Sequence, residues 1–499
     1  MNETIEKNDF HQAESLSKTV ARGGIWIFGL RIVNRGFALI RTIILARLLA
    51  PHDFGLFGIA VLAISTIETF SQTGFQAALV QKKNNIESYL DTAWTISAIR
   101  GIILFLILFS SAPIIAKFFD SAQVTLIIKV IAVSTLLSGF RSISIVFFQK
   151  QFEFNKQFYY EISATFVGLT VAIILAFILR NVWALVWGEL VANFVRVFMS
   201  YIIYSYRPRI KLEKEKIHKL FGFGKWVMGS SMLSFLIIQG DDIFVGKMLG
   251  VTVLGLYQMA YLISNLPTTE ITHVISQVTF PAYSKLQDNL PKLRESYLKV
   301  LQLTAILSFP IAGLIFALAP DFIKIFLGEK WMPMVPAMQI MVLFGLIRSI
   351  GATTGPIFDA VGRPDIGTKI IMAKFIIFAV IIYPFIDTWG IVGAAWATVL
   401  NALIMNPVAD YQVIKIIRCT IWIFCKSLII PFINTTFMLA ILFSLKKFLI
   451  PSITSFNFLV LILVGFSVYF FATFIFDKAL GYELIPTLKQ QFIASFRKE

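Results

Sequence analysis

Fourteen apolar runs of about 20 residues follow one another along this 499-residue chain. Each run can cross a bilayer as a helix, whereas an open sheet cannot, because lipid offers no partner to the sheet edge. Charged residues make up 14% of the chain and hydrophobic residues 57%, as expected of a membrane protein. The sequence therefore predicts an all-α integral membrane protein of about 14 transmembrane helices. The second and fourth runs span 54–79 and 124–148, and the eleventh and twelfth span 368–387 and 390–413.

An internal repeat relates the two halves of the chain. The segment LARLLAPHDFGLFGIA at 45–60 returns as VGKMLGVTVLGLYQMA at 245–260. Further matches follow in the same order at an offset of roughly 200 residues, which argues for two related copies. Each copy holds six runs, so both copies enter the membrane from the same side. The sequence predicts two parallel six-helix lobes related by a pseudo-twofold axis along the membrane normal, followed by two unpaired C-terminal helices.

Lysine and arginine concentrate in alternate connections, and this bias predicts orientation. The richest connection is RPRIKLEKEKIHKL at 207–220, which is expected in the cytoplasm together with both termini. The net charge of +16 then reflects topology and attraction to anionic lipids, because no soluble basic domain is available for nucleic acid. The predicted segments are a cytoplasmic leader at 1–21, an N-terminal lobe at 22–206, a basic linker at 207–219, a C-terminal lobe at 220–414, helices 13 and 14 at 415–478, and an amphipathic cytoplasmic tail at 479–499.

Ionisable residues inside the runs are the candidates for function, since a charge at the bilayer centre costs about 2.5 to 3.5 kcal/mol. Four of them lie near predicted helix ends, where their side chains are expected to reach the interface: Lys129, Arg196, Lys374 and Asp410. Arg100 is ambiguous between such an interfacial side chain and a functional candidate.

A polar stripe marks the first run, where Arg31, Asn34 and Arg35 follow helical spacing. The second run carries Glu68 and Gln72 in the same way. Such stripes indicate either helix–helix hydrogen bonds or a water-filled space shared by the lobes. Two arginines one turn apart favour the water-filled space, because packed arginines would need carboxylates nearby.

The stripe is cationic only in the first copy, because Ser231 and Phe235 stand at the positions equivalent to Arg31 and Arg35. Guanidinium groups bind phosphate oxygens through a rigid fork of donors. We therefore expect an anionic substrate, such as a phosphate or pyrophosphate. The candidate substrate-binding residues are Arg31, Asn34, Arg35, Glu68, Gln72, Arg141 and Arg348, of which the last two are equivalent across the repeat.

A gate is predicted from opposite charges at equivalent positions. Arg41 aligns with Asp241, and the residue after Arg41 aligns with Asp242. A salt bridge from Arg41 to either aspartate would close the outer opening of the space between the lobes. The alternative is that each charge pairs within its own lobe or contacts lipid headgroups. Glu68, Asp241 and Glu270 could also bind a coupling cation or act as salt-bridge partners.

Several functions are disfavoured by what the chain lacks. Cys419 and Cys425 have no histidine or acidic companions, so neither a metal site nor a disulfide is expected. No G-x-x-x-x-G-K-[ST] phosphate loop is present. The outer connections are mostly under about 15 residues, too short for the positioned acid–base groups of a membrane glycosyltransferase or polymerase. We expect no enzyme activity, cofactor or metal.

Five segments together resemble the polysaccharide transporter family of the multidrug/oligosaccharidyl-lipid/polysaccharide exporter superfamily, and within it Wzx-type flippases of the colanic acid and teichuronic acid exporter kind. They are SLSKTVARGG at 15–24, RTIILARLLAPHDFGLFGIAVL at 41–62, TGFQAALVQKK at 73–83, DDIFVGKMLG at 241–250 and DAVGRPDIGTK at 359–369.

The resemblance implies a flippase in the bacterial cytoplasmic (inner) membrane. Its expected substrate is an undecaprenyl-pyrophosphate-linked oligosaccharide repeat unit, used for exopolysaccharide, capsule or O-antigen synthesis. The resemblance further implies alternating access of two lobes driven by a gradient of H⁺ or Na⁺, and the partners could include polysaccharide polymerase machinery. Cationic lumen residues are a theme of the family, and Arg31 and Arg35 fit it. The alternatives are a lipid II flippase or a multidrug antiporter of the same superfamily.

Overall fold

The computed structural model describes residues 26, 29–72, 79, 86–151, 153–448 and 454–480. Within these residues the secondary structure is helical, with no strand. The predicted leader at 1–21 and nearly all of the predicted tail at 479–499 lie outside the described residues. Residue contacts divide the chain into a first unit, Met1–Gly255, and a second unit, Leu256–Glu499.

Thirteen helices longer than one or two turns occur in the described residues. In the first unit they are α1 at 29–48, α2 at Pro51–Phe70, α3 at Glu87–Phe118, α4 at Gln123–Gly139, α5 at Phe154–Leu179, α6 at Trp183–Ile203 and α7 at Lys214–Leu249. Helix α8 at Val251–Leu286 starts in the first unit and continues into the second. The second unit then holds α9 at Leu290–Phe322, α10 at Val335–Gly351, α11 at Pro364–Ile416, α12 at Ile421–Phe448 and α13 at Ser455–Leu480.

Nine helices of the described part of the chain are long and apolar enough to cross a bilayer. Large apolar side chains remain exposed on several of them, among them Ile114, Phe177, Val380 and Leu463. An apolar surface of this extent needs lipid rather than water around it. The prediction of an all-α membrane protein is confirmed.

Two predicted runs correspond to helices that end earlier. Helix α2 ends at Phe70, inside the predicted run 54–79, and α4 ends at Gly139, inside the predicted run 124–148. After α4 the chain turns through Phe140 and continues as a 3₁₀ turn at Ile143–Ile145 and a short helix at Val146–Lys150. Both early ends lie beside charged residues that are candidates for the functional site.

Helix α11 covers two predicted runs, 368–387 and 390–413. Its backbone is interrupted at Gly390, where φ is 57° and ψ is −132°. A positive φ of this kind favours glycine, which has no Cβ to clash with the backbone. The predicted boundary between the two runs therefore coincides with a kink instead of a loop.

Small residues allow helices of the first unit to pack closely. A Cβ atom built on Gly101 of α3 would lie 2.8 Å from the Cα of Gly139 in α4, and the reciprocal distance is the same. Helices α5 and α6 meet in the same manner, since Gly168 faces Ala192 and Gly188 faces Ala172. Close backbone approach at small residues is the usual basis of helix association in lipid.

The repeated segments contact each other within the first unit. A Cβ atom at Gly55 would overlap the carbonyl of Val251, and one at Gly255 would overlap the carbonyl of Pro51. The two contacts are related by the offset of the repeat. His52 also lies 3.2 Å from the hydroxyl of Thr252, its own equivalent. The matching residues 51–55 and 251–255 therefore pack on each other within the first unit.

Candidate functional site

Half-buried cationic side chains line the first helix. Arg31, Asn34 and Arg35 on α1 are half-buried, whereas Ile32 and Ile40 of the same helix are exposed. The amide oxygen of Asn34 is buried without a hydrogen-bond partner. Gln72, from the same group of predicted residues, is exposed just beyond the end of α2.

Glu68, Arg100 and Arg141 form a charged corner where α2, α3 and α4 meet. The close crossing at Gly101 and Gly139 brings the two arginines to this corner from adjacent helices. Both of their charges act favourably on the Glu68 carboxylate. The Nε of Arg141 is buried and has no hydrogen-bond partner. Two predicted site residues, Glu68 and Arg141, are therefore brought together, and Arg100 joins them.

A second charged group lies between α5 and α6. Arg196 approaches Glu161 at 3.7 Å and Glu189 at 3.9 Å. The amide of Asn193 donates to Glu189 at 2.9 Å and its oxygen accepts from Arg196 at 3.2 Å. Arg196 is thus half-buried and held by these partners, and the expectation that it extends to the membrane interface stays a prediction.

Arg41 interacts with this second group. Its charge is attracted by Glu189 and repelled by Arg196. Asp241 and Asp242, the gate partners suggested by the sequence, are both buried in α7. The bridge between Arg41 and either aspartate stays a prediction, which a charge exchange between positions 41 and 241 would test.

Charged side chains of both signs lie in the helices and turns of the first unit. The described residues discussed above comprise six arginines, three glutamates and two aspartates: Arg31, Arg35, Arg41, Arg100, Arg141 and Arg196 with Glu68, Glu161, Glu189, Asp241 and Asp242. The arginines exceed the carboxylates by one, and several of them, including Arg31, Arg35 and Arg141, are half-buried. Guanidinium groups in such positions are suited to bind an anion.

The connection after α6 is tied to the ends of α3 and α5. Asp91 accepts hydrogen bonds from the Tyr206 hydroxyl and, at 3.0 Å, from the backbone N–H of Arg209. Glu153 accepts from the Tyr204 hydroxyl and from Lys156. Burial raises the pKa of Glu153, but these two hydrogen bonds outweigh burial and hold that pKa below its usual value.

In the second unit, Arg348 of α10 donates a hydrogen bond from Nη1 to the Tyr261 hydroxyl at 3.3 Å. The polar face of α8 nearby includes Asn265 and Thr268, which a Cβ atom at Gly345 would approach within 3.2 and 3.0 Å. The backbone of Glu270 belongs to α8, but its side chain lies outside the described residues.

A polar cluster of the second unit was not expected from the sequence. Lys374 donates to the amide oxygen of Asn406 at 2.6 Å, and Thr354 donates to Asp410 at 2.9 Å. The opposite charges of Lys374 and Asp410 attract each other. Both side chains are half-buried and hydrogen-bond to neutral partners, and the expectation that they reach the interface stays a prediction. Asn406 and Asp410 are one helical turn apart, and this spacing in the sequence could have indicated the cluster.

Metal binding has no support in the described residues, where no group of three or more His, Cys, Asp or Glu side chains could hold an ion.

Comparison with known proteins gives a consistent set of similarities. A family model described as polysaccharide biosynthesis protein matches residues 44–336. The chain is 26% identical to the lipopolysaccharide biosynthesis protein WzxC of Escherichia coli (strain K12), over 80% of this chain and 81% of that protein. It is 23% identical to the teichuronic acid biosynthesis protein TuaB of Bacillus subtilis (strain 168), over 75% of this chain and 78% of that protein.

Among solved structures, the lipid II flippase MurJ in an inward closed conformation has a similar fold. The TM-score is 0.73, the sequence identity is 16%, and the alignment covers 92% of this chain and 99% of MurJ. At this identity the similarity concerns the fold.

Proposed function

Because the chain belongs to the polysaccharide biosynthesis protein family, we propose that it is a flippase for an undecaprenyl-pyrophosphate-linked oligosaccharide repeat unit. The observation that carries the proposal is the set of half-buried arginines in the first unit, Arg31, Arg35 and Arg141. A pyrophosphate headgroup carries the opposite charge, and guanidinium groups bind its oxygens with paired donors. The similarity to WzxC, a lipopolysaccharide biosynthesis protein, and to TuaB, a teichuronic acid biosynthesis protein, supports a polysaccharide precursor as the substrate.

The proposed cycle follows the predicted organisation of the chain. Two six-helix lobes at 22–206 and 220–414, joined by the linker at 207–219, alternate access between the two sides of the bacterial cytoplasmic membrane. A gradient of H⁺ or Na⁺ drives the cycle, and both termini face the cytoplasm, where anionic lipids attract the basic linker. Labelling single cysteines at Lys214 and Glu329 from outside tests the orientation, because only the cysteine at position 329 should react.

A multidrug antiporter of the same superfamily is less consistent with the charges. Cationic drugs would be repelled by Arg31, Arg35 and Arg141, whereas an anionic headgroup is attracted.

Removal of the two stripe arginines tests the substrate site. The double variant Arg31→Ala/Arg35→Ala should reduce polysaccharide export by about tenfold or more at normal protein level, because hydrogen bonds to charged groups contribute about 1.5 to 3 kcal/mol each. Lysine at both positions should restore part of the export, since it keeps the charge but not the paired donors.

The matched control is Arg209→Ala, which removes the same charge from an exposed linker position. Wild-type export by the double alanine variant would place the headgroup site elsewhere, with Arg141 and Arg348 as the next candidates.

A further inference from the structure

The end of α2 is capped by an arginine from another helix. Arg100 of α3 donates from Nε to the carbonyl of Ser71 at 2.8 Å and from Nη2 to the carbonyl of Glu68 at 2.9 Å. The same two nitrogens reach the Ser71 hydroxyl at 3.2 and 2.9 Å. The last carbonyls of a helix lack partners within the helix and carry partial negative charge, so a guanidinium group stabilises them.

The cap leaves part of the guanidinium group unused. Nη1 of Arg100 forms no hydrogen bond to any described residue, since all four of its bonds come from Nε and Nη2. Nor does any cation of the described residues form a salt bridge with the Glu68 carboxylate, although Arg100 and Arg141 both act on it electrostatically. Arg141 keeps a buried Nε without a partner. The corner therefore combines two cations, the Glu68 carboxylate and donors that no described residue uses, while the charge of Glu189 also acts on Glu68.

A purely structural role does not explain this composition. Capping α2 requires Nε and Nη2 of Arg100 but does not require Arg141 nearby. Neutralising Glu68 requires one cation, and the usual arrangement would be a direct ion pair. Two guanidinium groups act on the Glu68 carboxylate without forming an ion pair with it in the described part of the chain, so donors of both remain available to an anion that shares the site.

We propose that Arg100 and Arg141 form a phosphate-binding subsite in which Glu68 is the internal competitor of the ligand. Glu68 holds the two cations in place when the subsite is empty, and a phosphate or pyrophosphate group binds their unused donors against the repulsion of Glu68. The inference deepens the proposed function, on which it rests, by assigning a binding role to Arg100. The ligand is either the headgroup of a lipid-linked sugar or a free phosphate species.

A double-mutant cycle with a soluble anion tests the subsite. Inorganic pyrophosphate is titrated calorimetrically into purified full-length protein in phosphatidylcholine nanodiscs. Arg100→Gln should weaken binding by about tenfold, the effect of one charge-assisted hydrogen bond. Glu68→Gln should strengthen it several-fold, by roughly the Coulomb repulsion of one partly screened charge. In Arg100→Gln/Glu68→Gln, the gain in affinity caused by Glu68→Gln should be smaller than in the wild-type background, because the two residues act on the same ligand.

The controls separate binding from folding. Arg209→Gln removes an exposed arginine and should leave pyrophosphate binding unchanged. Arg100→Lys keeps the charge but loses the fork, so its affinity should fall between those of wild type and Arg100→Gln. If Arg100→Gln fails to fold, the Glu68→Gln variant alone tests the subsite. Tighter binding of pyrophosphate by Glu68→Gln supports the subsite, because an Arg100 that only caps α2 predicts no change in the anion affinity of Glu68→Gln.

Repeating the titration in nanodiscs that contain undecaprenyl pyrophosphate identifies the source of the phosphate. Competition between the lipid and inorganic pyrophosphate indicates the lipid headgroup, and its absence indicates a free anion. Unchanged affinity in both Arg100→Gln and Glu68→Gln, or no binding of either ligand to the wild type, overturns the subsite. If Arg31→Ala/Arg35→Ala still abolishes export while Arg100→Gln leaves the affinity for pyrophosphate unchanged, the result contradicts the subsite but supports the proposed function.

Discussion

At the scale of residues, Lys374 and Asp410 show how charged side chains can be kept inside membrane helices. Neither relies on a direct ion pair, since Asn406 accepts the hydrogen bond of Lys374 and Thr354 donates to Asp410. Their opposite charges still attract each other across the cluster. Removing one of them leaves the other charge without compensation in a medium of low dielectric constant.

Substitution of Lys374 should therefore destabilise the protein. We expect Lys374→Met to lower the free energy of unfolding by on the order of 2 to 4 kcal/mol, and Lys374→Met/Asp410→Asn to recover part of this loss. The control is Lys369→Met on the same helix, where the lysine side chain is 79% exposed and pairs with Asp365 at 3.6 Å. Tryptophan fluorescence during denaturant unfolding measures the three variants. Equal stability of Lys374→Met and Lys369→Met would contradict the role of the cluster.

The sequence identified the charges inside the apolar runs better than it identified their partners. Glu68 and Arg141 were recognisable as candidates because ionisable residues are rare in apolar runs. Arg100 stayed ambiguous because its contacts depend on where α2 ends, and an apolar run that extends to 79 hides that end. The partners of Arg196, Lys374 and Asp410 could not be predicted, because distance from a predicted helix end says nothing about neighbours on adjacent helices.

At the scale of elements, the crossing of the repeated segments depends on two glycines. Gly55 faces the carbonyl of Val251 and Gly255 faces the carbonyl of Pro51, so any side chain must displace backbone atoms. Lys247, which lies shortly before Val251 in the sequence, forms an ion pair with Asp120 at 2.6 Å. The repeat was visible in the sequence, but the contact between its copies was not, because sequence similarity carries no information on packing.

Alanine at the crossing should be more harmful than alanine elsewhere. Gly55→Ala and Gly255→Ala should each destabilise the protein by about 2 kcal/mol or more, the range of overpacked interiors. Gly36→Ala should be neutral or stabilising by up to about 1 kcal/mol, because nothing lies within 4 Å of its Cβ position and alanine favours helix. Melting temperatures of the purified variants compare them. A Gly55→Ala variant as stable as Gly36→Ala would show that the crossing is looser than described.

At the scale of the whole molecule, hydropathy and the repeat were sufficient to predict an all-α membrane protein, and the family match agrees with the resemblance of five short segments. Helix ends were harder to predict, because α2 and α4 end at contacts with other helices and α11 continues through a kink at Gly390. Lipid-linked substrates differ in their sugars, whereas the proposed site addresses only their shared phosphate part.

The most direct measurement of the proposed function is mass spectrometry of lipid-linked sugars after depletion of the protein from living cells. We expect a complete undecaprenyl-pyrophosphate-linked repeat unit to accumulate, inaccessible to sugar-specific probes outside the membrane, while polymer disappears from the surface. Re-expression of the wild type should clear the intermediate, and Arg31→Ala/Arg35→Ala should not. Loss of polymer without accumulation of a complete repeat unit, or accumulation on the outer side of the membrane, would contradict a flippase.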